Sequence, residues 1–343
     1  MIQLFTSIEE LKKRLPTETK TLFLADSNTY LACFNLLGLV HPCFVFEAGE
    51  SQKNLNQVEV ISHWMAEHYL SRNDTLYIIG GGVACDMGGL CASLYMRGIN
   101  FVLIPTSLLA MIDASIGGKV AVNLDNLKNY VGVFNKPTNV YICTPFLKSL
   151  PKIELLNGYG EMCKHALLQG LNEWHKLISV KLEDILAEQW VHIINESVQF
   201  KRKVVESDFK ETGRRKILNF GHTIGHAVES RMMQTNRAIG HGIAVAVGLI
   251  AELHLSKSIF IQPDDEWSEV IQFITARFQQ FCPVLTEDDI HAVCDLLIFD
   301  KKNANGKTLF VLLNGIGNPE YDVPCSETDV QNALEFYNVQ IRL

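Results

Sequence analysis

Two histidines one helical turn apart are the first feature of this sequence that could do chemistry. His222 and His226 stand in the run GHTIGH, and at this i, i+4 spacing both imidazoles lie on one helical face. His241 comes just before the next helical stretch, and Glu161 lies in a separate one. Two histidines and a carboxylate with one open position are typical of a catalytic zinc site. Spacing alone leaves the choice of ligands open, and core or capping histidines are the competing interpretation.

A glycine-rich loop is the second such feature. Residues 79–89 read IGGGVACDMGG and join an apolar strand to an apolar helix, which is the context of loops that cradle phosphate groups. The strict G-x-G-x-x-G spacing fails because Cys85 occupies the third glycine position, so the loop alone is a weak dinucleotide signal. Asp26 and Glu50 both follow early strands, where the acid that binds a ribose usually stands. Either could equally be an ordinary N-cap.

The balance of charge limits the class of partner. The chain has 30 lysines and arginines against 38 aspartates and glutamates, a formal charge of −8. This disfavours nucleic acid, because affinity for a phosphate backbone comes from clustered basic residues. A local pocket for a small polyanionic substrate stays compatible with it. The cations that could converge on such a pocket are Arg97, Lys119, Lys128, Lys164, Lys201, Arg214, Arg215, Lys301 and Lys302.

The elements that must position these residues change in kind near residue 150. Apolar runs at 21–25, 43–46, 76–79, 101–104 and 140–142 are typical of buried strands. Helical patterns such as 57–70 alternate with them, which indicates a parallel sheet covered on both faces. Beyond Pro151 we predict helices at 154–170, 184–205, 219–231, 242–258, 265–280 and 327–337, and a strand at 308–313. We therefore expect two domains, 1–150 and 151–343.

Length and composition indicate a globular chain of about two domains, at roughly 100–200 residues each. No apolar run reaches the roughly 18 residues of a membrane span, and no secretory signal peptide is visible. The nine cysteines are scattered and form no C-x-x-C pair, as expected for reduced thiols. We expect a cytoplasmic protein without a membrane partner.

Several short blocks, taken in order, resemble the 3-dehydroquinate synthases. In the first half they are GGGVACD (80–86), YMRG (95–98), PTSLL (105–109), DASIGGK (113–119) and LKN (127–129). In the second half they are GYGEMCK (158–164), LNFGHTIGH (218–226), HGIAVA (241–246) and DKK (300–302). The resemblance spans roughly residues 20–320, and so many blocks in register are far more specific than any single motif.

The resemblance implies a fold and a metal site. The fold is a Rossmann-like α/β domain that binds NAD, followed by a mainly α-helical domain that binds metal and substrate. One divalent metal, zinc or cobalt, is assigned to Glu161, His222 and His241. His226 becomes a substrate contact and a candidate for proton transfer.

The resemblance also implies the residues that bind NAD and the substrate. For NAD they are Asp26, Asn28, Glu50, Lys53, Gly81, Gly82, Val83, Asp86, Thr106, Ser107, Asp113, Lys119, Lys128, Phe146 and Ser149. For the substrate they are Asp113, Lys119, Asn129, Lys164, Lys201, Arg215, Asn219, His226 and a lysine of block 300–302, here Lys301. Arg97 would reach a phosphate from the neighbouring subunit, which implies a homodimer, and Glu211 matches a further active-site acid.

The implied activity is that of a lyase of the shikimate pathway. It converts the sugar phosphate 3-deoxy-D-arabino-heptulosonate 7-phosphate to 3-dehydroquinate and phosphate. The steps are oxidation by NAD, phosphate elimination, return of the hydride and an intramolecular aldol closure. Three alternatives stay open: another sugar phosphate cyclase such as a 2-epi-5-epi-valiolone synthase, a metal-dependent polyol dehydrogenase, and a catalytically inactive relative.

Three positions depart from the usual family pattern. The family has glycine at Cys85, glutamate at Ile243, and Thr-Gly at Val120–Ala121. Ile243 removes one polar partner that the metal histidines could have had, and such partners matter by roughly 10–100-fold in affinity. Val120–Ala121 resembles relatives that cyclise sedoheptulose 7-phosphate, so these positions bear on the choice of substrate.

Overall fold

The structure, a computed structural model, describes residues 1–16, 21–125, 127–300 and 307–342. They form two compact units. The first contains Met1–Leu155 and Val180–Lys210, and the second contains Leu156–Ser179 and Glu211–Leu343. Residues 180–210, which we assigned to the C-terminal domain from sequence, thus group with the first unit.

A parallel sheet of six strands forms the centre of the first unit. The strands are β1 (Ile2–Phe5), β2 (Leu22–Asp26), β3 (Cys43–Phe46), β4 (Thr75–Gly80), β5 (Asn100–Pro105) and β8 (Asn139–Cys143). Their order is β1-β8-β5-β4-β2-β3, and every adjacent pair is parallel. The central strands are buried along most of their length, as expected for a sheet covered on both faces.

Five of these strands coincide with the apolar runs of the sequence, whereas β1 and a hairpin were not predicted. The hairpin pairs β6 (Lys119–Leu124) with β7 (Leu127–Phe134) in antiparallel register. β1 is an edge strand that buries only Phe5, and β7 is exposed along nearly its whole length. Neither carries the continuous apolar run by which the other strands are recognised.

Helices complete the first unit. They are α1 (Ile8–Lys12), α2 (Ser27–Thr29), α3 (Asn35–Leu37), α4 (Leu55–Glu67), α5 (Gly82–Leu94) and α8 (Glu188–Ser207). α5 follows β4 directly, packs against β4 and β5, and is buried along most of its length. α8 packs on a short π-helical segment, Ala110–Ala114, and so brings a lysine from late in the chain into this unit.

The second unit is mainly helical. Its helices are α6 (Lys152–Gln169), which begins in the first unit, α7 (Leu171–Ile178), α9 (His222–Gln234), α10 (His241–Phe260), α11 (Asp264–Phe278), α12 (Glu287–Asp300) and α13 (Glu327–Arg342). An antiparallel pair, β9 (Thr308–Leu313) and β10 (Pro319–Cys325), accompanies them. Of these elements α7, α12 and β10 were not predicted. The parallel sheet and this helical unit confirm the predicted fold class.

α10 is the central helix of the second unit. It packs against α9, α11, α13 and β9. By length and composition it is the one helix among the described residues that could cross a membrane, but 72% of its most apolar window is buried inside the protein. A helix that is apolar on all sides and covered by neighbours is a core helix.

Candidate functional site

The glycine-rich loop lies between β4 and α5, as predicted. β4 ends at Gly80, Gly81 is the N-cap of α5, and no side chain caps this helix. A β-carbon on Gly80 would lie 2.4 Å from that of Ala84, so the turn leaves no room for a side chain there. The free N–H groups and positive dipole end of α5 are therefore open to an anion.

Asp26 is the last residue of β2, and Glu50 begins the short turn of residues 50–52 that follows β3. Asp26 is the N-cap of α2, and its carboxylate accepts hydrogen bonds from the backbone N–H of Thr29 (2.9 Å) and its hydroxyl (2.7 Å). Glu50 is exposed and accepts a hydrogen bond from the Asn123 amide at 2.8 Å. Asp26 also lies next to the glycine loop, since a β-carbon on Gly80 would be 3.3 Å from its Oδ2. The structure thus brings the capping acid and the loop together.

The buried Lys53 links two residues that the resemblance assigned to different ligands, Asp86 to NAD and Asn129 to the substrate. Lys53 Nζ donates to the Asp86 carboxylate on α5 (2.7 Å) and to the Asn129 side-chain oxygen on β7 (2.5 Å). Burial raises the pKa of Asp86, although the Lys53 charge opposes this effect. Asn129 has φ +54°, a left-handed conformation that asparagine tolerates better than most residues. The contact holds β7 against the start of α5.

The remaining residues predicted to bind NAD are divided between exposed and buried positions. Thr106 follows β5, is buried, and its N–H donates to the Gly80 carbonyl. Ser107 lies beside the loop, since its Oγ would be 3.5 Å from a β-carbon on Gly81. Phe146 is 1% exposed and packs in the core. The exposed members of the remaining set are Asn28, Lys119, Lys128 and Ser149.

Lys201 and Asp113 form an ion pair within the first unit. The Lys201 ammonium on α8 contacts the Asp113 carboxylate and donates to its backbone carbonyl at 3.0 Å. Lys201 is buried, and Asp113 lies in the π-helical segment that α8 covers. Two residues 88 positions apart that were both predicted to bind substrate are therefore neighbours.

Arg97 and Lys119 are exposed cations of the first unit. Lys119 is the first residue of β6. Met96 and Arg97, just after α5, have φ values of 49° and 68°. Such left-handed conformations are costly for residues other than glycine and persist only where the surroundings enforce them. The turn therefore gives the Arg97 backbone a fixed direction.

A buried carboxylate and two imidazoles meet in the second unit. Glu161 on α6 is fully buried, and its Oε1 lies 3.1 Å from His222 Nε2 and 3.3 Å from His241 Nε2. Lys164, one turn further along α6 and 1% exposed, contacts the other oxygen. Neither oxygen accepts a hydrogen bond of good geometry. A buried carboxylate in this condition, facing two imidazole nitrogens, is the donor set that a divalent metal takes.

His226 lies beside the two histidines that face Glu161. Its ring centroid is 5.1 Å from that of His222 and 5.5 Å from that of His241, and ligand atoms of all three rings lie within 4.8 Å of one another. His226 is the most exposed of the three. The structure therefore places four candidate ligands together, and Glu161 faces only His222 and His241 at ion-pairing distance.

Burial and charge shift the pKa values of this cluster in different directions. Burial opposes ionisation of Glu161, but the charges of Lys164 and His222 outweigh it and hold its pKa well below the usual range. Burial and the Lys164 charge lower the pKa of His222, and partial burial and the two other histidines lower that of His226. Burial would also lower the pKa of His241, but Glu161 and Glu229 raise it to about 10.

Close contacts between glycines set the distances between these helices. A β-carbon on Gly160 would lie 2.3 Å from the carbonyl oxygen of Gly242, where α6 crosses α10. A β-carbon on Gly248 would lie 1.8 Å from the carbonyl oxygen of Gly221, where α10 crosses the start of α9. Gly221 itself has φ +76°, which places His222 at the first helical position. Backbones this close bring their short ligand side chains to one point.

Three further predicted residues share one loop of the second unit. The Asn219 amide donates to Glu211 Oε1 at 2.9 Å, and the buried Arg215 lies 3.8 Å from Glu211 Oε2. Asn219 is also only three residues before His222. The contact brings a buried cation, an acid and an amide together. The predictions for Lys301 and Lys302 lie outside the described residues.

Two buried glutamates of the second unit were missed by the sequence analysis. Glu229 Oε2 accepts a hydrogen bond from His241 Nδ1 at 3.2 Å. Glu252 on α10 accepts from the backbone N–H groups of Gly221 (2.6 Å) and Ile224 (3.0 Å), and so caps α9. Both left a signal. Glu229 shares the helical face of His222 and His226 at spacing i+7, and Glu252 interrupts an otherwise apolar helix.

The chain matches a known protein family over most of its length. Residues 43–157 match the model of the 3-dehydroquinate synthase N-terminal domain, and residues 158–303 match that of the C-terminal domain. A 3-dehydroquinate synthase of Parabacteroides distasonis is 36% identical over 93% of this chain and 91% of its own length. One of Leptospira interrogans is 38% identical over 84% of this chain and 79% of its own length.

Solved structures share the fold at lower identity. The 2-epi-5-epi-valiolone synthase ValA of Streptomyces hygroscopicus, solved with NAD+ and Zn2+, aligns with a TM-score of 0.84 at 23% identity. The alignment covers 98% of this chain and 96% of ValA. The matches to the two domain models together span most of the sequence, and the two relatives are similar over 91% and 79% of their own lengths. This chain therefore belongs to the 3-dehydroquinate synthase family.

Proposed function

We propose that this chain is a 3-dehydroquinate synthase. It converts 3-deoxy-D-arabino-heptulosonate 7-phosphate to 3-dehydroquinate and inorganic phosphate, the second step of the shikimate pathway. The observation that carries the proposal is the buried Glu161 carboxylate with the Nε2 atoms of His222 and His241 at 3.1 and 3.3 Å, in a chain of this family. The reaction needs a metal, a recycled nicotinamide and several anion-binding side chains, and the chain has candidates for each.

Glu161, His222 and His241 would hold the metal. They offer one carboxylate and two imidazoles. The Glu161 oxygens accept no well-formed hydrogen bond, so a cation bound there would displace none. Three protein ligands leave a position for substrate oxygens, as in catalytic zinc sites. When bound, zinc or cobalt supplies Lewis acidity toward a substrate hydroxyl, and NAD supplies reversible hydride transfer.

The nucleotide would lie on the first unit. The N-terminus of α5, which no side chain caps, suits a pyrophosphate, and the turn at Gly80–Gly82 has no side chains that would block its approach. Asp26, at the end of the adjacent strand β2, is available for a ribose hydroxyl. Lys53 and Asp86 keep β7 and α5 together at the same end of the sheet.

The substrate carries a phosphate and a carboxylate, and the chain offers cations for both. Lys201, Arg215 and Lys164 are buried and already oriented by Asp113, Glu211 and Glu161 respectively. Held in place before the substrate arrives, such cations lose little freedom on binding. Burial and the neighbouring histidines lower the pKa of His226, so its ring is neutral at pH 7 and has a lone pair for a substrate proton, although the same shift makes it a weaker base.

A stoichiometry experiment tests the proposal directly. The NAD concentration is set to one tenth of the substrate concentration. Phosphate is then expected to form from the heptulosonate phosphate over many turnovers, because the nicotinamide is reduced and reoxidised within one cycle. Free NADH absorbance should stay at baseline. Release of one NADH per substrate without phosphate would instead identify a polyol dehydrogenase. Turnover of sedoheptulose 7-phosphate in preference to the heptulosonate would identify a sibling cyclase.

The phosphate contacts give a second prediction. Charge-assisted hydrogen bonds contribute about 1.5–3 kcal/mol each, so Arg97→Ala or Lys119→Ala is expected to reduce kcat/KM roughly 10–150-fold. Steady-state phosphate release measures the effect. Lys12→Ala, at a partly exposed lysine paired with Glu9 on α1, is the matched control and should leave kcat/KM unchanged.

The same variants test the proposed homodimer. If Arg97 serves the partner's site, a dimer of one Arg97→Ala chain and one Glu161→Ala chain contains one intact site of two. Co-expression with two affinity tags isolates that dimer, and its activity should far exceed that of either variant alone. Activity no higher than the parents would assign Arg97 to its own subunit.

The proposed location is the cytoplasm. All nine cysteines lie in the described residues and none forms a disulfide. Burial raises the pKa of thiols such as Cys33 and Cys43, to about 11 and about 12. Unpaired, unreactive thiols suit a reducing compartment.

A further inference from the structure

We propose that Glu229 is a positioning residue of the metal site, which fixes the ring of His241 so that its Nε2 faces the metal position. The inference rests on the proposed function, because it concerns a ligand of the metal assigned there. Glu229 is not one of the three proposed ligands: its carboxylate contacts Nδ1 of His241, and it acts through that ring.

Each of the two histidines has its Nδ1 engaged on the side away from Glu161. His222 Nδ1 lies 3.1 Å from the backbone carbonyl of Phe220. His241 Nδ1 lies 3.2 Å from Glu229 Oε2. Both partners are acceptors, so each Nδ1 carries the proton and donates. The Nε2 atoms are thereby the ones aimed at Glu161, and in the neutral tautomer they carry the lone pair that a metal requires.

The two histidines differ in what holds them. His222 is held by the backbone carbonyl of Phe220, two residues earlier, and a substitution cannot remove that carbonyl. His241 is the first residue of α10, and its orienting group comes from another helix, α9. Glu229 is 6% exposed, so its carboxylate is held away from water and toward the ring. His241 therefore depends on one replaceable side chain.

This contact also gives His241 a polar partner that the apolar Ile243 cannot provide. We expected Ile243 to deprive the metal histidines of a polar partner. Ile243 is 1% exposed and apolar, and Glu229 provides His241 with a carboxylate from the neighbouring helix instead. Partners of this kind orient the ring and raise its basicity, and their loss typically costs about 10–100-fold in metal affinity.

Metal affinity tests the inference without relying on turnover. Zinc binding to the purified apoprotein is measured by competition with a chromophoric chelator for the wild type, Glu229→Gln and Glu229→Ala. We expect about tenfold weaker binding for the glutamine variant, which keeps an acceptor but no charge, and about 100-fold for alanine. The stoichiometry of one zinc per chain should persist in Glu229→Gln. Affinity equal to the wild type in both variants would overturn the inference.

Asp289→Asn is the matched control for a purely structural effect. Asp289 on α12 is fully buried and pairs with Arg231 of α9 at 2.9 Å and with Arg237 at 2.7 Å, so its loss loosens the same helix that carries Glu229. This variant should melt at a lower temperature yet bind zinc as the wild type does. An equal loss of affinity in Asp289→Asn and Glu229→Gln would assign the effect to helix packing and overturn the inference.

Cobalt provides a spectroscopic signature of the inference. Glu229→Gln should shift the visible d–d bands of the Co2+-loaded protein, whereas Asp289→Asn should not, because only the former changes a ligand's orientation.

A further variant separates this inference from the proposed metal site. His222→Ala should abolish zinc binding. If the wild type binds no zinc, or His222→Ala binds it equally, the proposed metal site fails. If those results hold and Glu229→Gln leaves affinity and spectrum unchanged, the inference alone fails.

Discussion

Replacing Glu161 with glutamine is expected to abolish zinc binding and to destabilise the protein by about 3–5 kcal/mol. Glu161 is fully buried and contacts Lys164, which is 1% exposed. The amide keeps the size of the side chain but leaves the buried Lys164 ammonium without its carboxylate partner, and it removes the charged ligand. Urea denaturation measures the free energy of unfolding, and elemental analysis measures the zinc content.

Glu269→Gln is the control for this prediction. Glu269 is an exposed residue of α11 in the same unit, and its replacement should change the free energy of unfolding by no more than about 0.5 kcal/mol. A Glu161→Gln protein as stable as Glu269→Gln would show that Lys164 is compensated by another group. Retention of a full equivalent of zinc would remove Glu161 from the ligand set.

A single methyl group at Gly242 should be nearly as disruptive. The β-carbon of Gly242→Ala would lie 1.9 Å from the carbonyl oxygen of Asn157, a backbone atom that cannot rotate away. α6 and α10 must therefore separate. Overpacking usually costs about 1–3 kcal/mol and occasionally more, and a clash between two backbones should fall at the upper end. Because Glu161 lies on α6 and His241 on α10, zinc affinity should fall together with the melting temperature.

Gly82→Ala is the matched glycine substitution. A β-carbon on Gly82 would lie 3.8 Å from that of Ala114, an ordinary contact, so the melting temperature should not fall. A normal melting temperature and normal zinc affinity for Gly242→Ala would mean that the helices adjust without cost. The close crossing would then not set the distance between the ligands.

The framework of the fold could be predicted from the sequence because its signals are local. Buried parallel strands such as β2 and β4 are continuous apolar runs, and their neighbours in sequence are helices with a regular period. The edge strand β1 and the exposed strand β7 escaped prediction. Their strand conformation is imposed by pairing with β8 and β6, and pairing is not written in a single segment.

The candidate site shows the same division. Spacing identified His222 and His226 as neighbours on one helix. It could not choose among the three histidines, because the i, i+4 relation says nothing about His241, which lies on another helix. The motif resemblance selected Glu161, His222 and His241, and in the structure these are the residues whose ligand atoms converge at 3.1 and 3.3 Å. Their assignment as metal ligands stays a prediction that the Glu161 and His222 variants test.

The sequence by itself therefore determined the family, the order of the elements and the chemical types of the site residues. Only the tertiary structure decided which distant groups hold them in place. Lys53 contacts Asn129, Lys201 contacts Asp113, Glu252 caps the start of α9, and Glu229 contacts His241. The reason is physical. A buried polar group must find a partner wherever the chain folding brings one, whereas periodicity and motif spacing record only the relations between residues close in sequence.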